Sequence, residues 1–203
     1  MAMDNNKIIN FWKWFENNQD NLVPEKINNT GITNLNNKIL ELGDFAWEIR
    51  EGLNKDNMLI ISPGGDVGLL NATQNIISFG PELPNWEYYH YKPAKNWDFK
   101  LSILEKSNIK KILDVSEWYY VLYRFSDNTY DIIIKASNLN NTLDEEKLII
   151  ADIVLESIFG EELSLKLFKN IEFVNEFNEE DISKVSSIQN LQKHLETLET
   201  SRI

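Results

Sequence analysis

The hydrophobic positions of the chain fall into two rhythms. In IINFWKWF, Ile8, Phe11, Trp12 and Phe15 recur at i, i+3, i+4 and i+7, the spacing of one helical face. After the loop signal Asn28-Asn29-Thr30-Gly31, the residues Ile32, Leu35, Ile39 and Leu42 make a second stripe of the same kind, stopped at Gly43-Asp44. The period then changes to two. FAWEIR alternates, with Phe45, Trp47 and Ile49 on one face, and NMLIIS is an apolar run of strand length. The short loop between them predicts an antiparallel hairpin.

Beyond the glycines of SPGGDVG, Leu69, Ala72, Ile76 and Phe79 return to helical spacing, and Pro81 and Pro84 end that helix. WEYYHY reads as an aromatic strand, with WDFKLSI expected as its neighbour. Residues 117–125 and 129–136 flank Ser126-Asp127-Asn128 and predict two adjacent, central strands. DEEKLIIADIVLESIF predicts a buried helix that begins near Leu143 or Asp144 and ends at Gly160. KNIEFVNEF reads as a last strand, and Glu179-Glu180-Asp181 as the opening of a final helix. The order ααββαββββαβα predicts an α+β fold, an antiparallel or mixed sheet with helices packed on it. The expected organisation is a single domain over 1–178 and an amphipathic helix over 179–203. No internal repeat is visible in the sequence.

Composition narrows the function classes. A length of 203 residues suffices for a substantial core. No window reaches the roughly 20 apolar residues of a membrane span, and the opening MAMDNNKIINFWKWFENN lacks the features of a signal peptide. With no cysteine, disulfides, thiolate metal sites and cysteine nucleophiles are excluded, and the expected location is the cytoplasm. The net charge is −12, and residues 141–203 hold 6 Lys/Arg against 14 Asp/Glu. Such a surface repels nucleic-acid backbones and favours a basic protein partner, or serves solubility alone.

Three constellations could carry chemistry. Ser62, Gly64 and Gly65 lie between a strand and a helix, where glycines can turn backbone N–H groups toward an anion. The stretch lacks the Lys-Ser/Thr ending of a P-loop and the spacing of a dinucleotide fingerprint, and Asp66 suits a helix cap better than a phosphate site. The preferred reading is a tight turn with positive φ at Gly64 or Gly65. Along the aromatic strand, Trp86, Tyr88 and His90 share one face, suited either to stacking a ligand or to filling a core. His90 is one of two histidines and a candidate general base; the other, His194, reads as solvated. Finally, Glu145, Asp152 and Glu156 share a helical stripe and Glu161 and Glu162 follow Gly160, a pattern that can hold a hard cation, supply an acid/base pair or form a solvated face. No metal or cofactor motif is present in the sequence, so none is assigned.

The segments FWKWFENN, LIISPGG, PELPNWEYYHYKP and LESIFGEE follow one another across residues 11–162. In that order they resemble a group of small bacterial proteins with a Trp/Phe helix, an IS-x-G strand end, a P-x-L-P-x-W turn and a late LD-x-x-LGE-like motif. Ser62, Gly64, Pro81, Pro84, Trp86, Gly160 and Glu161 match; Glu156 and Phe159 replace Asp and Leu, and Lys92 stands where arginine is common. The resemblance implies a soluble bacterial protein and brings no activity with it. The expected function is therefore a non-catalytic binding or regulatory module, of the kind an immunity protein exemplifies, with an acidic C-terminal surface. The alternative is a small-molecule enzyme or carrier with a cleft between strand 86–91 and turn 62–65, bordered by Glu156 and Glu161. Ile188, Leu191, Leu195 and Leu198 form one stripe of the final helix, either a cover for the domain or a homodimer seam.

Overall fold

The computed structural model describes residues 4–104 and 110–200. The chain divides into two compact units, Met1–Lys92 and Pro93–Ile203. Both mix helices with sheet, and the fold is α+β.

The first unit begins with α1 (Asn5–Asn18), capped by the Asp4 carboxylate, which accepts the Asn6 N–H at 2.9 Å. Ile8, Phe11, Trp12 and Phe15 are all buried, as their spacing predicts. Full burial of each such side chain is worth roughly 1.5–3 kcal/mol, so this face fastens the helix. Helix α2 spans Asn29–Leu40 and starts inside the stretch expected to be a loop. Asn28 is its N-cap, accepting the Gly31 N–H at 3.0 Å, so the loop-like residues are a helix entrance. Leu35 and Ile39 are buried, whereas Ile32 is 43% exposed and falls off the core face.

Strands β1 (Ala46–Glu51) and β2 (Asn57–Ser62) form the expected antiparallel hairpin, with Ala46 opposite Ser62. β2 is buried along its whole length and lies at the centre of a three-stranded sheet. The chain crosses through α3 (Leu70–Ser78) and returns as β3 (Trp86–Tyr89), parallel to β2. The sequence reading paired β3 with WDFKLSI instead. The crossover helix explains the difference, since it brings the chain back in the same direction beside β2.

In the second unit, β4 (Lys100–Leu104) pairs antiparallel with β5 (Lys110–Asp114), a strand that hydrophobic pattern does not reveal. Of its residues only Leu113 is buried, and Ile112 is 59% exposed. The expected central hairpin is present as β6 (Tyr119–Arg124) and β7 (Tyr130–Lys135), with Asn128 at φ 67° in its turn. Helix α4 (Asp144–Phe159) ends at Gly160, and the short α5 (Glu161–Leu167), not anticipated, leads into β8 (Phe168–Phe173). β8 runs parallel to β7, and the sheet order is β8-β7-β6-β9, with β9 at Ser186–Ser187.

The terminal segment corrects the expectation of one helix from residue 179 onward. Glu179–Lys184 is a 3₁₀ helix, β9 follows, and only Leu191–Thr200 is an α-helix, α6; residues 201–203 lie outside the described residues. Asp181 supplies the physical reason. Its carboxylate is 1% exposed and accepts from the Tyr123 hydroxyl at 2.6 Å and from Lys184 Nζ at 2.9 Å, which ties the segment to β6. Ile188, Leu191 and Leu195 are buried, and the first two join the second unit's own core.

Candidate functional site

The glycine turn has a structural explanation. Gly64 and Gly65 sit at φ 62° and 91°, conformations that glycine adopts without a Cβ penalty. Asp66 accepts the Gly68 N–H at 2.8 Å and so caps the 3₁₀ turn Val67–Leu69. Its carboxylate therefore occupies the place where an anion would meet the backbone. Ser62 is buried and its hydroxyl has no hydrogen-bond partner.

The aromatic strand is largely core. Trp86 is 2% exposed and meets Phe15 edge to face at 4.9 Å, while Tyr88 meets Trp12 at 4.6 Å. The Trp12 indole N–H donates to the Ile76 carbonyl at 2.8 Å, fastening α1 to α3. Burial, and secondarily the charge of Glu16, pushes the Tyr88 hydroxyl above its ordinary pKa. His90 lies just past β3; its carbonyl accepts from the Thr73 hydroxyl at 2.8 Å, and its ring meets Tyr91 at 4.7 Å. These contacts describe a packed sheet face.

The late acidic motif surrounds a helix junction. Gly160, at φ 80° and ψ 154°, separates α4 from α5, and its N–H donates to the Glu156 carbonyl at 2.8 Å. Glu161 is fully buried in the first turn of α5, where the positive helix end favours a carboxylate. Glu156 is half-buried. Among the described residues, no group of three or more His, Asp or Glu is arranged to hold a metal ion. The site residues thus distribute between the units: Ser62, Gly64, Gly65, Trp86, Tyr88 and His90 in the first, Glu156 and Glu161 in the second.

Hollows among the described residues are lined by other residues. One, of about 320 Å³, lies where α4 and α5 meet β8; Leu148, Leu155, Leu165, Phe168 and Ile171 line it together with Asp152, Ser164, Lys169 and Asn170. On the outer surface of α4, Leu148 at 42% and Ile149 at 60% exposure flank the exposed Glu145 and Asp152. Asp144, Glu145 and Glu146 occupy the first turn of the same helix. Asp152 remains exposed, yet crowding by the surrounding protein desolvates its carboxyl and raises its pKa. It makes no ion pair with the described residues. The hollow's own cation, Lys169, is engaged by Asp127, so a partly apolar hollow with a desolvated acid suits a greasy side chain with a cation beside it.

Sequence reasoning singled out Asp152 and Glu156 but missed Leu148, Ile149 and Phe168. The available signal was that Leu148 and Ile149 lie outside the buried face of α4, on either side of the acidic stripe Glu145, Asp152 and Glu156. Counting only its buried half hid the other. No family model matches the chain, and no curated protein or solved structure matches it. Among the described residues, no helix is long and apolar enough to cross a membrane.

Proposed function

We propose that the chain is a non-catalytic binding module whose second unit takes a basic, apolar segment of another protein. The observation that carries this reading is the outward face of α4, where exposed Leu148 and Ile149 adjoin the hollow that holds Asp152. A water-soluble helix normally keeps such side chains on its buried stripe. Charge defines the partner. The second unit holds 13 Lys/Arg against 20 Asp/Glu, a net charge of −7, and the three acids of the first turn of α4 extend that field beside the apolar face. A segment with one large apolar side chain and nearby Lys or Arg would fill the hollow and neutralise Asp152. A lack of cysteine agrees with action in a reducing cytoplasm.

The test uses two fluorescent amphipathic peptides of one pattern, Leu/Lys and Leu/Glu, measured by anisotropy against the full chain. The Leu/Lys peptide is expected to bind and to weaken with salt. The paired substitution Leu148→Ser and Ile149→Ser is expected to abolish binding without changing the melting temperature. Equal binding of the Leu/Glu peptide, or undiminished binding by the variant, would overturn the reading.

A further inference from the structure

The four-stranded sheet of the second unit has two dissimilar edges. At one, β9 pairs with Tyr119 and Tyr120 of β6. The other is β8, which ends the order β8-β7-β6-β9 and pairs with β7 alone among the described residues. The Val174 N–H donates inward to the Ile134 carbonyl at 2.9 Å. Peptide groups alternate in direction along a strand, so Glu172 also faces β7, whereas Ile171 and Phe173 turn their N–H and C=O groups outward. Among the described residues, those outward groups make no hydrogen bond.

Side chains sort by the same alternation. Ile171 and Phe173 are in register with the buried Ile132 and Ile134 and are themselves half-buried, on the face that packs with α4. Asn170 and Glu172 are exposed on the opposite face, where Glu172 makes no ion pair with the described residues. The hollow of about 320 Å³ opens along this edge, with Phe168 and Ile171 of β8 on one side and Leu148, Asp152 and Leu155 of α4 on the other. A strand edge and a helix thus form the two walls of one groove. A bulge sets Lys169 apart from the ladder and leaves a regular edge only over residues 170–173. So short an edge, flanked by charge, disfavours indiscriminate pairing and suits a short segment of defined pattern.

We infer that the partner segment binds in extended form, adding to β8 as a short antiparallel strand; this rests on the reading of the α4–β8 surface as a site for a basic, apolar segment. In an antiparallel pair, residues that exchange both hydrogen bonds stand directly opposite and share a face. The segment's residues opposite Ile171 and Phe173 therefore bond to β8 and turn their side chains toward α4, where the hollow takes an apolar one. The residues between them turn toward Glu172, which calls for Lys or Arg. The partner's pattern is consequently apolar and basic in alternation, not at helical spacing. A second copy of the chain suits the edge less, because it would bring two acidic units together.

The experiment measures short fluorescent Leu/Lys peptides by anisotropy against the full chain. One alternates Leu and Lys, and another has the same composition at helical spacing. Two derivatives of the first carry N-methyl groups, either on the leucines or on the lysines. The alternating peptide is expected to bind more tightly than the helical one. N-methylation of the leucines should weaken it at least about tenfold, since it removes the donors aimed at the Ile171 and Phe173 carbonyls. N-methylation of the lysines, whose N–H groups face solvent, should leave binding unchanged. Glu172→Lys should weaken it about threefold and, the residue being exposed, leave the melting temperature unchanged. Sedimentation of the chain alone should show a monomer. Equal binding of the two N-methyl derivatives, or of the helical-spacing peptide, would overturn the inference and leave the basic-partner reading standing. Failure of every Leu/Lys peptide to bind would overturn that reading as well. A dimer that the alternating peptide dissociates would assign the edge to a second copy and overturn the inference.

Discussion

The two units repeat one topological idea with different materials. In the first, the hairpin β1–β2 is followed by α3 and by β3, which pairs in parallel with β2. In the second, the hairpin β6–β7 is followed by α4 and α5 and by β8, which pairs in parallel with β7. The first crossover is one helix of 9 residues that buries Leu70, Thr73 and Ile76. The second is a helix of 16 residues with more apolar side chains than its buried face holds, joined to a further one of 7. Its extra apolar surface is what leaves Leu148 and Ile149 to solvent. The cores differ too: the first centres on Phe11, Trp12, Phe15 and Trp86, the second on aliphatic residues of β7, α4 and the C-terminal segment. Topology alone therefore does not locate a binding surface. The proposed surface rests instead on the exposed apolar residues of the longer crossover.

The largest break in this comparison comes from deleting residues 179–203. The second unit would lose Ile188, Leu191 and Leu195, each worth roughly 1.5–3 kcal/mol when buried, a large share of a typical stability of about 5–15 kcal/mol. Thermal melting should show a collapse of the transition, and an unchanged melt would contradict the packing described. Next come the matched substitutions Trp86→Ala and Trp118→Ala, one in each core. Both should cost about 3–5 kcal/mol in denaturant unfolding. Trp118→Phe should cost more than Trp86→Phe, because Trp118 also donates to Asn138 at 2.8 Å. Equal penalties would show that this bond adds nothing.

A smaller contrast lies in the turns that open and close the crossovers. Gly160→Ala should cost about 1–3 kcal/mol, since φ 80° with ψ 154° is a region almost restricted to glycine. Gly64→Ala, at φ 62° in the left-handed helical region, should cost about 1–2 kcal/mol. The reverse ranking would argue against the junction geometry. The clasp at Asp181 adds a pH signature. The Tyr123 hydroxyl first, and Lys184 second, lower its pKa in the folded state. The stabilisation is thus present above the ordinary carboxylate pKa of about 4 and is lost as pH falls through the folded value. Tyr123→Phe should lower the melting temperature at neutral pH, and the gap should close on acidification. The smallest effect belongs to Ile149→Ser, within about 0.5 kcal/mol of the parent in stability, although peptide capture is lost.

Much of the fold was legible because burial here follows periodicity. The stripe of α1, the hairpins β1–β2 and β6–β7, the end of α4 at Gly160 and a positive φ at Gly64 or Gly65 follow from local pattern, and the structure has it at both glycines. Pairing across distance was not legible: nothing within WEYYHY distinguishes a parallel partner from an antiparallel one. β5 was hidden because four of its five residues face solvent. The final helix was overextended because Ile188 and Leu191 keep helical spacing across a 3₁₀ turn, and the pull of Tyr123 on Asp181 is a tertiary effect. His194, read as solvated, is half-buried and hydrogen-bonded to the Tyr120 hydroxyl at 2.8 Å. As for the candidate site, the residues chosen for their chemical groups lie in a turn, in a sheet core and at a helix junction. The hollows are built from residues with little individual signature.

The two-residue strand β9 has a consequence for behaviour in concentrated solution. It pairs only with Tyr119 and Tyr120, at the outer edge of β6. An uncovered strand edge is a template on which other chains can add, and Tyr119, Val121 and Tyr123 would give that template strong β-forming character. Ser186 and Ser187 block the beginning of the edge, and the Asp181 clasp holds the adjoining segment against Tyr123. A protease cut near Asn178 would free this guard. The first symptom would then be concentration-dependent turbidity, arising from self-templated sheet growth.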